Sequence, residues 1–169
     1  MRARGATTLD IAQLYRRYGD MVLSRCRTLL GNDADAQEIA QDVFLKAHRN
    51  QSSFRGDSAP STWLYRIATT TCLNHLRARK RRREDIGAEP PPMVADGLLN
   101  RVEIRMLLDD LLSDEDDKTR AAAIYHWMDG MTHAETGRML GLSGAAIRKR
   151  LRVFRGKLGN RTPPWLEAS

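Results

Sequence analysis

Cysteine is scarce in this 169-residue chain: Cys26 and Cys72 are the only two, too few for a disulfide scaffold and without metal-ligand spacing. Helix packing is the simplest role for both. The four histidines, His48, His75, His126 and His133, fall on separate expected elements at no ligand spacing. No window approaches the roughly 20 uninterrupted apolar residues of a membrane span. The start, Met1-Arg2-Ala3-Arg4-Gly5, has no apolar run behind it, which argues against a secretory leader. Also missing are a Gly-rich phosphate loop and a nucleophile motif. These absences argue against a metal, a cofactor, a catalytic role or membrane insertion. With 41% hydrophobic residues the chain can still bury a core, so a soluble cytoplasmic protein is expected.

Charge is abundant but uneven. The formal net charge is +7. Residues 1–85 contain 16 basic and 9 acidic side chains, residues 86–120 contain 4 and 9, and residues 121–169 contain 8 and 3. Two basic ends around an acidic middle suggest two modules facing a polyanion.

The apolar periodicity is helical almost throughout, and no strand alternation competes with it, so an all-α fold is expected. Ile11, Leu14, Tyr15, Tyr18, Val22 and Leu29 mark a first helix that Gly31 stops. Asn32 or Asp33 can cap a second, in which Ala36, Ile39, Ala40, Val43, Phe44 and Ala47 form the clearest apolar stripe of the chain. Residues 51–59 are polar and read as a loop. Pro60 suits the first turn of a third helix through Trp63, Leu64, Ile67, Ala68 and Leu76. Pro90-Pro91-Pro92 marks a linker. The expected domains are therefore 1–85 and 98–169, joined by 86–97. In the second, Leu98–Leu112 is expected to be helical, and Ser113 can cap a helix that starts at Asp114 and ends at Gly130.

Residues 132–158 form the strongest local pattern. Thr132 and Glu135 make a capping box, Gly141-Leu142-Ser143 a turn, and Ser143 a cap for a last helix. Ile147, Leu151, Phe154 and Leu158 form an apolar stripe, with Arg148, Arg152 and Arg155 beside it and Lys149 flanking. This is a helix-turn-helix whose second helix can enter a major groove, a reading that fits better than a merely solvated basic face.

Two other clusters are less specific. Arg77 to Arg83 holds six basic residues in seven positions. A solvated tail accounts for it as well as a polyanion partner does. Upstream, Phe54, Trp63 and Tyr65 could stack single-stranded bases, although Trp63 also suits a core. Asp35, Glu38 and Asp42 lie on the polar side of the second helix. A solvated or protein-docking face suits them far better than a Mg²⁺ site in a nucleic-acid-cutting enzyme.

At this point the order of parts resembles a known family. Leu14-Tyr15-Arg16-Arg17-Tyr18-Gly19, Gly31 to Ala47 (with Asp33-Ala34-Asp35-Ala36-Gln37-Glu38 at its start) and Phe54 to Ala68 resemble the second conserved region of bacterial RNA polymerase sigma factors of the extracytoplasmic-function group. Residues 113–158, centred on Met128-Asp129-Gly130-Met131-Thr132, resemble the family's fourth region. The resemblance implies a non-enzymatic initiation factor that recognises minus-ten and minus-thirty-five promoter elements. Its partners would be core polymerase, through the largest-subunit clamp helices and the flap region, promoter DNA and an anti-sigma factor. Asp35, Glu38, Gln41 and Asp42 would dock on polymerase. Phe54, Ser58, Trp63, Thr70, Thr71 and Asn74, with Arg77, Arg79 and Lys80, would hold the melted minus-ten strand. Arg148, Lys149, Arg152 and Arg155, with Ser143, would read the minus-thirty-five duplex. The linker would run towards the RNA exit path. Pro60, Thr70 and the pair Thr136-Gly137 depart from the family pattern. Gly137 either weakens its helix, by about 1 kcal/mol relative to Ala, or permits a closer approach. A stand-alone helix-turn-helix regulator is the rival reading.

Overall fold

The computed structural model describes residues 9–54, 56, 58–87, 111, 112 and 114–159. Every regular element among them is helical: α1 (Ile11–Leu30), α2 (Asp33–Arg49), a 3₁₀ turn (Gln51–Ser53), α3 (Pro60–Asp85), α4 (Asp117–Ala123) with a wide turn at Ile124–Met128, α5 (His133–Leu140) and α6 (Gly144–Leu158). By its contacts the chain divides into two compact units, 1–75 and 76–169, with the division inside α3.

In the first unit the joints follow from local chemistry. Asp10 caps α1 by accepting from the amides of Ala12 and Gln13 at 3.0 and 3.2 Å. Gly31 ends it at φ 65°, a left-handed conformation that glycine adopts at no steric cost, and its N–H donates to the Arg27 carbonyl. Asn32 then caps α2 through the amides of Ala34 and Asp35. The α2 stripe is buried at Ala36, Ile39, Val43, Phe44 and Ala47. Tyr15, one of the apolar residues that mark α1, is 58% exposed and packs against the Phe44 ring in a T-shaped arrangement.

Helix α3 is tied to both neighbours by buried polar contacts. Arg25, 5% exposed, lies 4.4 Å over the Tyr65 ring and donates from Nε to Thr69 Oγ1 at 3.2 Å. Lys46 donates to Thr71 at 3.3 Å. Cys26 and Cys72 are fully buried and hydrogen-bonded through their thiols, a packing role as expected. α3 persists through Glu84 and Asp85, with Lys80 and Glu84 paired one turn apart at 3.9 Å, and closes on a turn at Ile86-Gly87. Residues 88–97 of the expected linker, and 98–110 of the helix expected after it, lie outside the described residues.

In the second unit the helix expected from Asp114 begins later than its sequence suggests. Ser113 lies outside the described residues, and Asp114 and Glu115 precede α4 rather than open it. The cap is Asp116, which accepts from the amides of Lys118 and Thr119 at 3.0 and 3.1 Å. After Ala123 the backbone widens: Asp129 N–H donates to the Ile124 carbonyl at 3.1 Å, five residues back, and Gly130 turns the chain at φ 67°. The core combines Leu112, Ala121 to Tyr125 and the α6 stripe.

Candidate nucleic-acid interface

The helix-turn-helix is assembled by reciprocal caps and one close backbone crossing. Thr132 accepts from the Glu135 amide at 3.2 Å, while the Glu135 carboxylate accepts from the Thr132 N–H and hydroxyl, both at 2.8 Å. The bonds from the Thr132 amide and hydroxyl hold the Glu135 carboxyl below the usual carboxylate range. Gly141 ends α5 at φ 67°, and Ser143 caps α6 through the Ala146 amide at 3.1 Å. Gly137 is buried where α5 meets the turn. A Cβ there would stand 2.5 Å from the Leu142 carbonyl oxygen. Of the two roles open for Gly137, close approach is the one the geometry supports.

Within α6, Ile147, Leu151, Phe154 and Leu158 are each at most 4% exposed, so the apolar stripe packs down as expected. Arg148, Lys149 and Arg152 are exposed, Arg155 is half-buried, and Ser143 is exposed at the cap. Arg150 and Lys157 face elsewhere. Arg150 donates to Asp116 at 2.5 Å and to Thr119 Oγ1 at 2.7 Å, and Lys157 to Glu115 at 2.7 Å. Burial acts to raise the Asp116 carboxyl, but the Thr119 hydroxyl and amide, Arg150 and the Lys118 amide together lower it.

The first unit brings its candidate residues to two surfaces. On α2, Glu38 and Gln41 are exposed and Asp42 half-buried, whereas Asp35 turns towards His75 on α3, 3.7 Å away. Near the start of α3, Phe54 and Trp63 rings lie 5.3 Å apart, with Trp63 only 8% exposed. Ser58 is half-buried, and Arg55 and Asp57 lie outside the described residues. Thr70 and Asn74, four residues apart, are exposed together. Thr71 is a correction: it is 4% exposed with its hydroxyl held by Lys46, so it faces the interior and cannot meet a base there. In the second unit, Arg77 donates to the Glu115 carbonyl at 2.7 Å and lies 3.5 Å from Asp117, while Arg79 and Lys80 are half-buried.

One grouping was missed in the sequence. His126 and His133 stack with ring centroids 4.5 Å apart and 27° between planes. They are seven residues apart across Gly130, and their only signal was position on either side of an expected turn. Among the described residues no three His, Cys, Asp or Glu side chains gather as a metal site would, and no helix is long and apolar enough to cross a membrane.

Residues 14–82 match the family model for sigma-70 region 2. The chain is 34% identical to the ECF RNA polymerase sigma factor SigM of Mycobacterium tuberculosis over 86% of its own length and 74% of the relative's. It is 30% identical to SigW of Bacillus subtilis, covering 88% of this chain and 83% of that one. It is also 30% identical to the sigma-E factor of Escherichia coli, covering 77% and 75%. Among solved structures, the sigma factor RpoE of Bartonella quintana, determined with the anti-sigma factor NepR, shares the fold. Its TM-score is 0.52 at 20% identity, over 89% of this chain and 95% of that one. CnrH, determined with the cytosolic domain of CnrY, gives 0.50 at 23% identity over 89% and 85%. The chain belongs to the extracytoplasmic-function RNA polymerase sigma factors, initiation factors that direct the polymerase to promoters.

Proposed function

We propose that the chain divides promoter recognition between its two helical parts, 1–85 and 98–169, with 86–97 as the linker that runs towards the RNA exit path. The polar face of α2, with the exposed Glu38 and Gln41 and the half-buried Asp35 and Asp42, docks on the polymerase clamp helices. Phe54, Ser58, Trp63, Thr70 and Asn74 receive the melted minus-ten strand, and Arg77, Arg79 and Lys80 hold its phosphates. Helix α6 enters the major groove of the minus-thirty-five element with Arg148, Lys149 and Arg152 leading, Arg155 behind them and Ser143 at the tip. The second part also meets the flap region. The protein works in the cytoplasm, and an anti-sigma factor is a fitting inhibitor, because RpoE of Bartonella quintana, which shares the fold, was determined with the anti-sigma factor NepR.

The observation that carries this reading is the pair of stripes on α6: a buried apolar row and, beside it, exposed arginines on a helix anchored at its cap. Its mechanism is binding energy. Duplex contacts position the enzyme, and aromatic and polar surfaces hold unstacked bases so that strand separation becomes favourable. A stand-alone regulator would have no use for the sigma-70 region 2 at residues 14–82.

The test is Arg148→Ala in reconstituted holoenzyme, assayed by run-off transcription. Loss of one base-edge contact should weaken minus-thirty-five recognition by about 1–3 kcal/mol. Unchanged promoter selectivity would refute the assignment of α6.

A further inference from the structure

Beside α6 in the second unit lies a cleft of about 280 Å³. Trp127 walls it, and His126, His133, Arg148, Arg152 and Arg155 surround it. None of the residues lining it is acidic. Five cationic or protonatable groups around one small space suit an oxyanion.

The histidines are set up to respond to such a guest. His126 Nδ1 is 2.7 Å from the Met131 carbonyl oxygen. A carbonyl only accepts, so Nδ1 carries the proton, and in neutral His126 the other ring nitrogen is a bare acceptor. His133 stacks on this ring from the first turn of α5. The charged groups bearing on it are His126 from the wide turn and Arg148 from α6, while the Glu135 carboxylate on its own helix is engaged by Thr132. Burial, then the charges of His126 and Arg148, lower the His133 pKa, which favours a neutral ring. An anion seated among these groups reverses the balance, since opposite charge favours the protonated form.

We propose that this cleft seats a phosphodiester of the DNA backbone beside the bases that α6 reads, and that the His126–His133 pair takes up a proton as the phosphate enters. This rests on the reading of α6 as the duplex-binding helix. The consequence is a proton-linked grip, in which duplex affinity rises as pH falls.

The phosphate seat is independent of base sequence, so a short, labelled, mixed-sequence duplex is a sufficient probe. Its affinity is measured by anisotropy at constant ionic strength from pH 8 to pH 6, for the full chain alone and reconstituted with core polymerase. Uptake of one proton allows up to about tenfold per pH unit, and a total gain of about tenfold is expected. His133→Gln and His126→Gln should each remove more than half of that gain. Binding without a pH slope, or a slope that loses less than half in both variants, overturns the proposal and leaves the reading of α6 intact. Absence of duplex binding in both forms overturns that reading and the proposal with it. Inorganic phosphate provides the last arm, with the His133 ring followed by NMR. A rise in its titration midpoint with the duplex but not with free phosphate supports the backbone seat. An equal rise with inorganic phosphate makes the cleft a general oxyanion site and overturns the commitment to DNA.

Discussion

Replacing Gly137 by alanine sets two opposed effects against each other, and their sizes decide the outcome. In a helix interior alanine is favoured over glycine by about 1 kcal/mol. Against this, the new Cβ would lie 2.5 Å from the Leu142 carbonyl oxygen and 3.2 Å from both the Gly144 nitrogen and the Ser143 carbonyl carbon. Ordinary contact begins near 3.4 Å, so the carbonyl must retreat by about 0.9 Å. Every atom in the way is backbone, so no side chain can rotate aside. The turn is also held where it is, because the Leu142 and Gly141 amides both donate to the Gly137 carbonyl. Overpacking of this kind costs about 1–3 kcal/mol, and an obstruction made only of backbone belongs at the upper end. The net expectation is a loss of about 2 kcal/mol in the α5–α6 pair, after the propensity gain of about 1 kcal/mol.

Hydrogen exchange read by mass spectrometry on peptides spanning 133–158 localises the effect to this pair, where whole-chain unfolding of two units would blur it. A loss of about 2 kcal/mol speeds exchange there about 30-fold. Gly156, exposed on α6 with nothing within 4 Å of an added Cβ, is the control. Gly156→Ala should slow exchange, with propensity alone acting. If Gly137→Ala protects the pair as Gly156→Ala does, the close crossing is not a constraint and the reasoning fails.

Thr136 is fully buried with no hydrogen-bond partner for its hydroxyl. The near-isosteric Thr136→Val should stabilise the second unit by about 1 kcal/mol, seen as slower exchange in α5, because an unsatisfied buried hydroxyl is removed. Asp116→Ala should cost the second unit about 1 kcal/mol at neutral pH through the lost cap, again read by exchange. The folded Asp116 carboxyl titrates below its ordinary 3.8. Its contribution is therefore present above the unfolded value and is lost as pH falls through the lower folded one, so the variant should lack that part of acid destabilisation. In the free chain the lowered His133 pKa has a related effect, for the unfolded ring takes its proton first as pH falls through about 6.5. Protection of α5 should decline over that range, and His133→Gln should flatten the decline.

Features with a short-range cause were the legible ones. Gly31-Asn32, Pro60, the Thr132–Glu135 box, Gly141 and Ser143 each act within about four residues, and all sit where their chemistry placed them. The α6 stripes were legible for the same reason, since helical spacing alone separates Ile147 from Arg148. Long-range choices were not. Four consecutive acids, Asp114 to Asp117, all qualify as caps or first-turn residues, and Asp116 is singled out by Arg150, 34 positions along the chain. Thr70 and Thr71 are alike in type. Which of them faces solvent depends on how α3 rolls against Lys46 of α2. The His126–His133 stack depends on the wide turn at Ile124–Met128, which breaks the phase that regular helical counting assumes. Gly137 showed that something was unusual at that position, but only the geometry of the turn separates a weak helix from a close crossing.

The acidic middle of the chain has a role that net charge conceals. Glu115 and Asp116 take Lys157 and Arg150, which lie seven residues apart and so share one side of α6. Arg148 and Arg152, one turn apart, lie on another side and remain exposed. Exposed ion pairs are individually weak, from about 0 to 1 kcal/mol, so the carboxylates contribute little to stability as isolated bridges. Their effect is orientational. Two carboxylates gripping the far side of α6 favour the orientation that turns Arg148 and Arg152 outward. Anions that would compete with DNA if they lay beside those arginines act instead from the opposite side of the helix. The sign reversal along the sequence thus separates cations that hold α6 in place from cations left available to a polyanion.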